Sequence, residues 1–239
     1  MSDKKKKLLP AVFLMMSTVA IAQQPGVGTV SIIPRIGVSL ANLPGDDIYT
    51  DEGTTPLSPR YKAGFLGGVD VDWQFMPNLS VMLGAHYVQQ GCRYENNSFE
   101  SDVSGNVVSG SGYSNWSTQL QYINMPLMLN AYIGPGFALK AGVQVGFALS
   151  GEMKYDEMGY RKDKDNNITY EEPVSRKISL DKTMRSVVFS IPVGVSYEYS
   201  NVILDARYNI GLNGFQDIKD YKSSRNSVFT LSAAYRFEL

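Results

Sequence analysis

With 239 residues, 44% hydrophobic, 19% charged and a net charge of −1, the chain has room for one large β-domain or two small ones. The near-neutral balance gives no hint of nucleic-acid binding. No stretch outside the N-terminus reaches the roughly 20 apolar residues of a spanning helix.

The N-terminus carries a basic block, Lys4 to Lys7, then an apolar run over residues 8–21 and the small-x-small pattern Ala20-Ile21-Ala22. That order predicts a secretory signal peptide over residues 1–22, cleaved before Gln23, and a mature domain over 23–239. Its removal takes four lysines and one aspartate, leaving 18 basic and 22 acidic residues and a net charge of −4. Cys92 is the only cysteine, so no intrachain disulfide is possible. It reads as a strand-end residue without a redox role.

The mature chain alternates apolar and polar residues with period two, the signature of strands between unlike surroundings. Residues 35–40 alternate first, and a polar segment rich in Pro, Gly and Asp follows over 42–60. Residues 61–75 form the cleanest strand, with Tyr61, Phe65, Val69, Val71 and Trp73 on one side and Lys62, Asp70, Asp72 and Gln74 on the other. Met76-Pro77-Asn78 is a tight turn, after which Leu79, Val81, Leu83 and Tyr87 resume the apolar face. A Ser, Gly and Asn-rich loop is expected over 95–117. The fourth strand spans 120–133 and contains Pro126, which requires a bulge or broken ladder. Gly134-Pro135-Gly136 turns into a fifth strand over 137–150, and a charged loop is expected over 152–182. A sixth strand, 187–199, contains Pro192. Ser200-Asn201 is a two-residue turn, a seventh strand spans 202–213, and after a loop over 214–225 the chain ends in an alternating strand over 228–239.

Eight strands thus alternate between short turns and long polar connections, so all long loops leave one end. This predicts an all-β fold, an eight-stranded antiparallel up-and-down transmembrane β-barrel in the cell outer membrane. A soluble ligand-binding barrel would carry dense charge outside. Here the polar face is mostly small residues, and its charges nearly cancel: Arg35, Lys62, Lys140, Arg207 and Arg236 against Asp70, Asp72, Glu198, Asp205 and Glu238. A narrow lumen needs such balance, because an unpaired buried ion is costly. The apolar face is uncharged, with aromatics near strand ends as in interfacial girdles. The final strand is expected to pair with strands one and seven, with Phe229, Leu231, Tyr235 and Phe237 on lipid and Arg236 and Glu238 inside.

Tyr122-Ile123-Asn124-Met125-Pro126-Leu127-Met128-Leu129, the Asp205 to Leu212 strand and the closing Tyr235-Arg236-Phe237 together resemble the PorT-type outer-membrane β-barrel family of the Bacteroidetes. Asn124 stands where that family carries an acidic residue. The resemblance implies an outer-membrane location, no enzymatic activity, and, from the family's association with protein export, a role accessory to secretion or envelope integrity.

Candidate chemistry is sparse. His86, the only histidine, points into the lumen by alternation and has no recognisable catalytic partner in the sequence. The stretch Asp163-Lys164-Asp165-Asn166-Asn167 begins like a calcium loop, but Ile168 and Val174 occupy the glycine and glutamate positions. Asp70 and Asp72 share one strand face and are expected to pair with luminal Arg or Lys. No cofactor, metal or catalytic residue is expected. The expected function is a structural or interaction scaffold, with a narrow passive porin-like channel as the alternative. The expected partners are outer-membrane lipid, the barrel-assembly machinery during biogenesis, and a protein engaged by the long loops.

Overall fold

The computed structural model describes residues 25–50, 55–104, 107–163, 165, 167–217 and 224–239; the expected signal peptide lies outside them. The eight principal strands are β1 Val30–Asn42, β2 Arg60–Met76, β3 Leu79–Arg93, β4 Val107–Gly134, β5 Phe137–Lys162, β6 Val187–Tyr199, β7 Val202–Gly214 and β8 Arg225–Tyr235. Each pairs antiparallel with the next, and β8 returns to β1, with Arg35 opposite Ala234 and Leu40 opposite Phe229. The ring is closed.

Its stagger can be read from the register. Stepping from partner to partner, Val30 leads through Trp73, Val81, Leu129, Ala141, Val193, Tyr208 and Phe229 back to β1 at Leu40, ten residues along. At a rise of ~3.3 Å per residue and a strand spacing of ~4.7 Å, that stagger tilts the strands by about 40°. Eight strands at such a tilt leave an interior only wide enough for side chains.

The phase is the one expected of a membrane barrel. Along β1, Ser31, Ile33, Arg35 and Ser39 are buried while Ile32, Ile36, Val38 and Leu40 are exposed. Ile36 is 61% exposed, Leu83 52% and Leu231 51%; an apolar surface this continuous is stable only against lipid. Trp73 with Phe75, Phe137 with Tyr197 and Tyr235 with Phe237 form ring pairs 4.8–5.9 Å apart at the short-turn rim. Tyrosine and tryptophan favour the membrane–water boundary.

Local chemistry accounts for the turns and the prolines. Ser200 and Asn201 both have positive φ (47° and 69°), as the hairpin turn matching strand twist requires. Pro126 pairs with Gln144 of β5, but the β3–β4 ladder is interrupted between the Leu83–Leu127 and His86–Asn124 pairs without a change of register. The β5–β6 ladder is interrupted in the same way beside Pro192, between Ser190–Gln144 and Val193–Ala141. A residue without an N–H is tolerated where a ladder lapses.

Two expectations need correction. The segments 95–117 and 152–182 are largely sheet: β4 and β5 run 28 and 26 residues and stay paired out to Val108 opposite Lys162. Asn97–Ser104 pairs with β4 on one side and Val174–Ser179 with β5 on the other. Since β3 leaves β4 at Arg93 opposite Ser117, this outer sheet runs on for roughly 30 Å along its strands beyond the ring. Water on both faces removes the apolar alternation by which strands are recognised. Glu238, expected in the lumen, is exposed. Phe237–Glu238 lies beyond the last β7 partner, Val202 opposite Tyr235, and is flanked only by β1.

The lipid face gives a direct test. Leu231→Arg, at mid-height of β8, should lower unfolding free energy in lipid vesicles by about 2–4 kcal/mol. Denaturant titration followed by tryptophan fluorescence measures it.

Candidate functional site in the lumen and the outer sheet

The inward residues of successive strands stack into layers. At the short-turn rim, Arg236 donates to Glu198 at 2.8 and 3.0 Å, to Asp72 at 2.9 Å and to the Tyr132 hydroxyl at 3.2 Å. Ser80 and Asn130 donate to the other Asp72 oxygen at 2.8 and 2.9 Å. Above this cluster comes an apolar layer of Ile33, Met82, Met128, Ile203 and Ala234, each buried. Each lies one inward position from a rim or central polar residue on its own strand: Ile33 separates Ser31 from Arg35, and Ala234 separates Ser232 from Arg236.

The central cluster comes next. Asp205 meets Lys140 at 2.7 Å, Arg207 at 2.6 Å and Arg35 at 3.5 Å. Asp70 pairs with Arg35, hydrogen-bonds His86 Nε2 at 2.7 Å, and lies 3.9 Å from Arg207. All six side chains are buried. Glycine makes this possible on β2 and β3: a Cβ at Gly84 would run into the Asp70 carboxylate, and one at Gly68 would meet the His86 ring at 2.7 Å. Around the two arginines, Asn124, Gln144, Asn209, Thr230 and Ser232 leave a polar cavity of about 10 Å³, about the space one water needs.

The outer mouth is closed by a second apolar layer of Leu43, Cys92, Tyr94, Leu120, Tyr122, Leu180, Met184 and Phe215. Residues 180–184 form a single turn, with the Thr183 and Met184 amides donating to Leu180 at 2.9 Å. The turn is latched to β5: Leu180 donates to the Gly151 carbonyl and the Gly151 amide donates to Asp181, both at 2.8 Å. These hydrogen bonds, Gly151 first and Ser179 second, hold the Asp181 carboxyl below its usual range. Protonation therefore weakens the latch only in acid, below about pH 4. A Cβ at Gly151 would collide with the Met184 sulfur.

Beyond the mouth, the outer sheet carries a group of aromatics. Trp116 lies 4.9 Å from Tyr155, 5.4 Å from Tyr113 and 6.1 Å from Tyr94.

The sequence-derived candidates fall into place unevenly. Asp70 and Asp72 do pair with arginines, each in a different cluster. His86 points inward as expected, and its partner is Asp70. Cys92 is buried in the outer apolar layer. Asp163 spends its carboxylate on the amides of Asp165 and Asn167 at 2.8 and 2.9 Å, while Lys164 and Asn166 lie outside the described residues. Among the described residues no group of three or more metal-ligating side chains occurs. Two features are not legible from alternation: the Gly68–Gly84 space for His86, and the mouth-closing turn at 180–184, which begins in the segment read as loop and ends just beyond it.

A closed eight-stranded ring with a lipid-facing exterior and a side-chain-filled lumen defines a small outer-membrane β-barrel. The chain belongs to the outer membrane protein beta-barrel domain family, whose pattern matches residues 21–217, and its location is the outer membrane. Among solved structures it is similar to the attachment invasion locus protein Ail of Yersinia pestis, at 15% identity over 89% of this chain and 100% of that one, with a TM-score of 0.41. It is also similar to Neisserial surface protein A, at 11% identity over 87% and 97% of the chains and a TM-score of 0.41. The N-terminal barrel domain of Pseudomonas aeruginosa OprF matches at 12% identity over 89% and 100%, with a TM-score of 0.30. No curated protein matches the chain.

Two substitutions test the layers. Asp205→Asn leaves three buried cations short of their shared carboxylate and should cost about 3–5 kcal/mol in denaturant unfolding. Gly151→Ala should displace the 180–184 turn. Cys92 then becomes the reporter: its labelling by a maleimide should rise by about one to two orders of magnitude, matching the ~1–3 kcal/mol of overpacking.

Proposed function

We propose that this chain is a non-enzymatic outer-membrane scaffold whose working part is the outer sheet, engaging a protein partner outside the membrane. One observation carries this reading. The lumen is filled and crossed by two apolar layers, whereas the outer sheet ends in two strands, Asn97–Ser104 and Val174–Ser179, that are its terminal members among the described residues. An edge strand offers unpaired backbone donors and acceptors to an incoming extended segment. All six residues of Val174–Ser179 are exposed, and its Arg176 and Lys177 blunt non-specific pairing.

The PorT-type affiliation, with a role accessory to secretion or envelope integrity, is the finer part of this proposal. Its support is that the motif residues are luminal. Tyr122 lies in the outer apolar layer, Asn124 lines the cavity, Asp205 and Arg207 form the central cluster, and Arg236 forms the rim cluster. Residues 1–22 as a cleaved signal peptide and assembly by the barrel-assembly machinery belong to the same proposal. The His86–Asp70 pair is buried, which favours a packing role over catalysis. The narrow channel is the weaker reading, since the central cavity is about 10 Å³.

Two measurements test the scaffold. Reconstitution in planar bilayers should give no large, stable open-channel conductance; such a conductance would overturn the proposal. A photo-crosslinking residue placed at Val174 or Ile178 in outer-membrane preparations should give a discrete protein adduct, which proline at successive positions of Val174–Ser179 should abolish.

A further inference from the structure

Residues directly opposite one another in a sheet point to the same side, so the register sorts the outer sheet into two faces. On one face Val174, Arg176 and Ile178 stand opposite Glu157, Tyr155 and Met153 of β5. Tyr155 lies 4.9 Å from Trp116 and 5.7 Å from Tyr113, and Met153 and Trp116 pack on the apolar layer that closes the mouth. This face is an aromatic and apolar shelf continuous with the mouth. On the other face Ser175, Lys177 and Ser179 stand opposite Asp156, Lys154 and Glu152. There every side chain is polar.

The shelf ends at an edge. Val174–Ser179 is the terminal strand on its side of the sheet among the described residues, and Val174 and Ile178 are 51% and 46% exposed. On the polar face, Lys177 stands opposite Lys154, and both lean on Glu152, at 3.8 and 2.9 Å. Asp156, on that same face, is taken up by Asn115 and Ser175. Like charges directly opposite one another disfavour a sheet, and a carboxylate on the next strand would relieve the contact. The edge thus asks for apolar groups on one side and acidic groups on the other.

We propose that the partner of the outer sheet is an extended polypeptide segment in which apolar and acidic residues alternate. It adds beside Val174–Ser179, with its apolar side chains extending the Trp116–Tyr155 shelf and its carboxylates beside Lys177. This inference rests on the reading of the outer sheet as the working part, and it supplies what selects the partner. Backbone pairing at an edge gives affinity, and the side chains at alternate positions give specificity.

The test uses the full chain in detergent micelles and three synthetic peptides: Asp-Val-Asp-Val-Asp-Val-Asp, its block isomer Asp-Asp-Val-Val-Val-Asp-Asp, and Lys-Val-Lys-Val-Lys-Val-Lys. The chain has two tryptophans, so in a Trp73→Phe background the fluorescence is that of Trp116, on the shelf. The acidic alternating peptide should change it with saturation. The block isomer and the basic peptide should bind about ten-fold more weakly, as the loss of a few cross-strand pairs predicts. Lys177→Glu, at an exposed position, should reverse the order of the acidic and basic peptides. Equal binding of the two isomers overturns the proposal, as does the absence of a saturable change or an unreversed order in Lys177→Glu. If photo-crosslinking from Val174 or Ile178 still gives a protein adduct when the peptides show no preference, the scaffold stands and this inference falls. If the adduct is missing as well, both fall.

Discussion

Everything in this molecule depends on the pairing of β8 with β1. In hydrocarbon an unpaired backbone group costs several kcal/mol, so a sheet that spans the membrane must have no edge. The Arg35–Ala234 to Asn42–Ser227 register closes the ring, and the ten-residue stagger that goes with it sets the width of the lumen. Closure at eight strands leaves no room for a water-filled channel. The inward residues must pack against one another across the axis, and that requirement produces the layers.

The lumen answers a problem created by its own composition. Inward positions of a membrane barrel cannot all be apolar, because alternation with a lipid face and export through a watery compartment favour polar residues there. Once enclosed, each charge needs a partner. Sharing is the solution at the centre, where Asp205 serves three cations and Asp70 serves two arginines and His86. The apolar layers on either side exclude water and strengthen these contacts. Rigidity of the filled ring is what allows β4 and β5 to continue beyond the membrane as a paired sheet, since their bases are held in register by the barrel.

Much of this could be read from residue order. The period-two pattern located all eight strands and put Phe229, Leu231 and Tyr235 on lipid and Arg236 inside. Turn chemistry at Pro77, Pro135 and Ser200-Asn201 set the topology, and Pro126 and Pro192 marked the lapses in the ladders. The outer sheet was hidden because Ser, Gly and Asn dominate residues 104–117, and a sheet wet on both faces carries no alternation. The outer closure was hidden for a different reason. Leu180 and Met184 are apolar residues in a charged segment, and nothing local says that their turn folds back over the barrel.

The sequence by itself determined the class of the molecule: alternation, short turns and an uncharged outer face are local properties, and lipid on one side of a strand leaves its mark on every second residue. Only the tertiary structure decided which charges meet. Arg236 and Asp72 are 164 residues apart and Arg35 and Ser232 are 197 apart, and their contact depends on the stagger of a closed ring. That stagger is a property of the whole sheet. No single strand contains it.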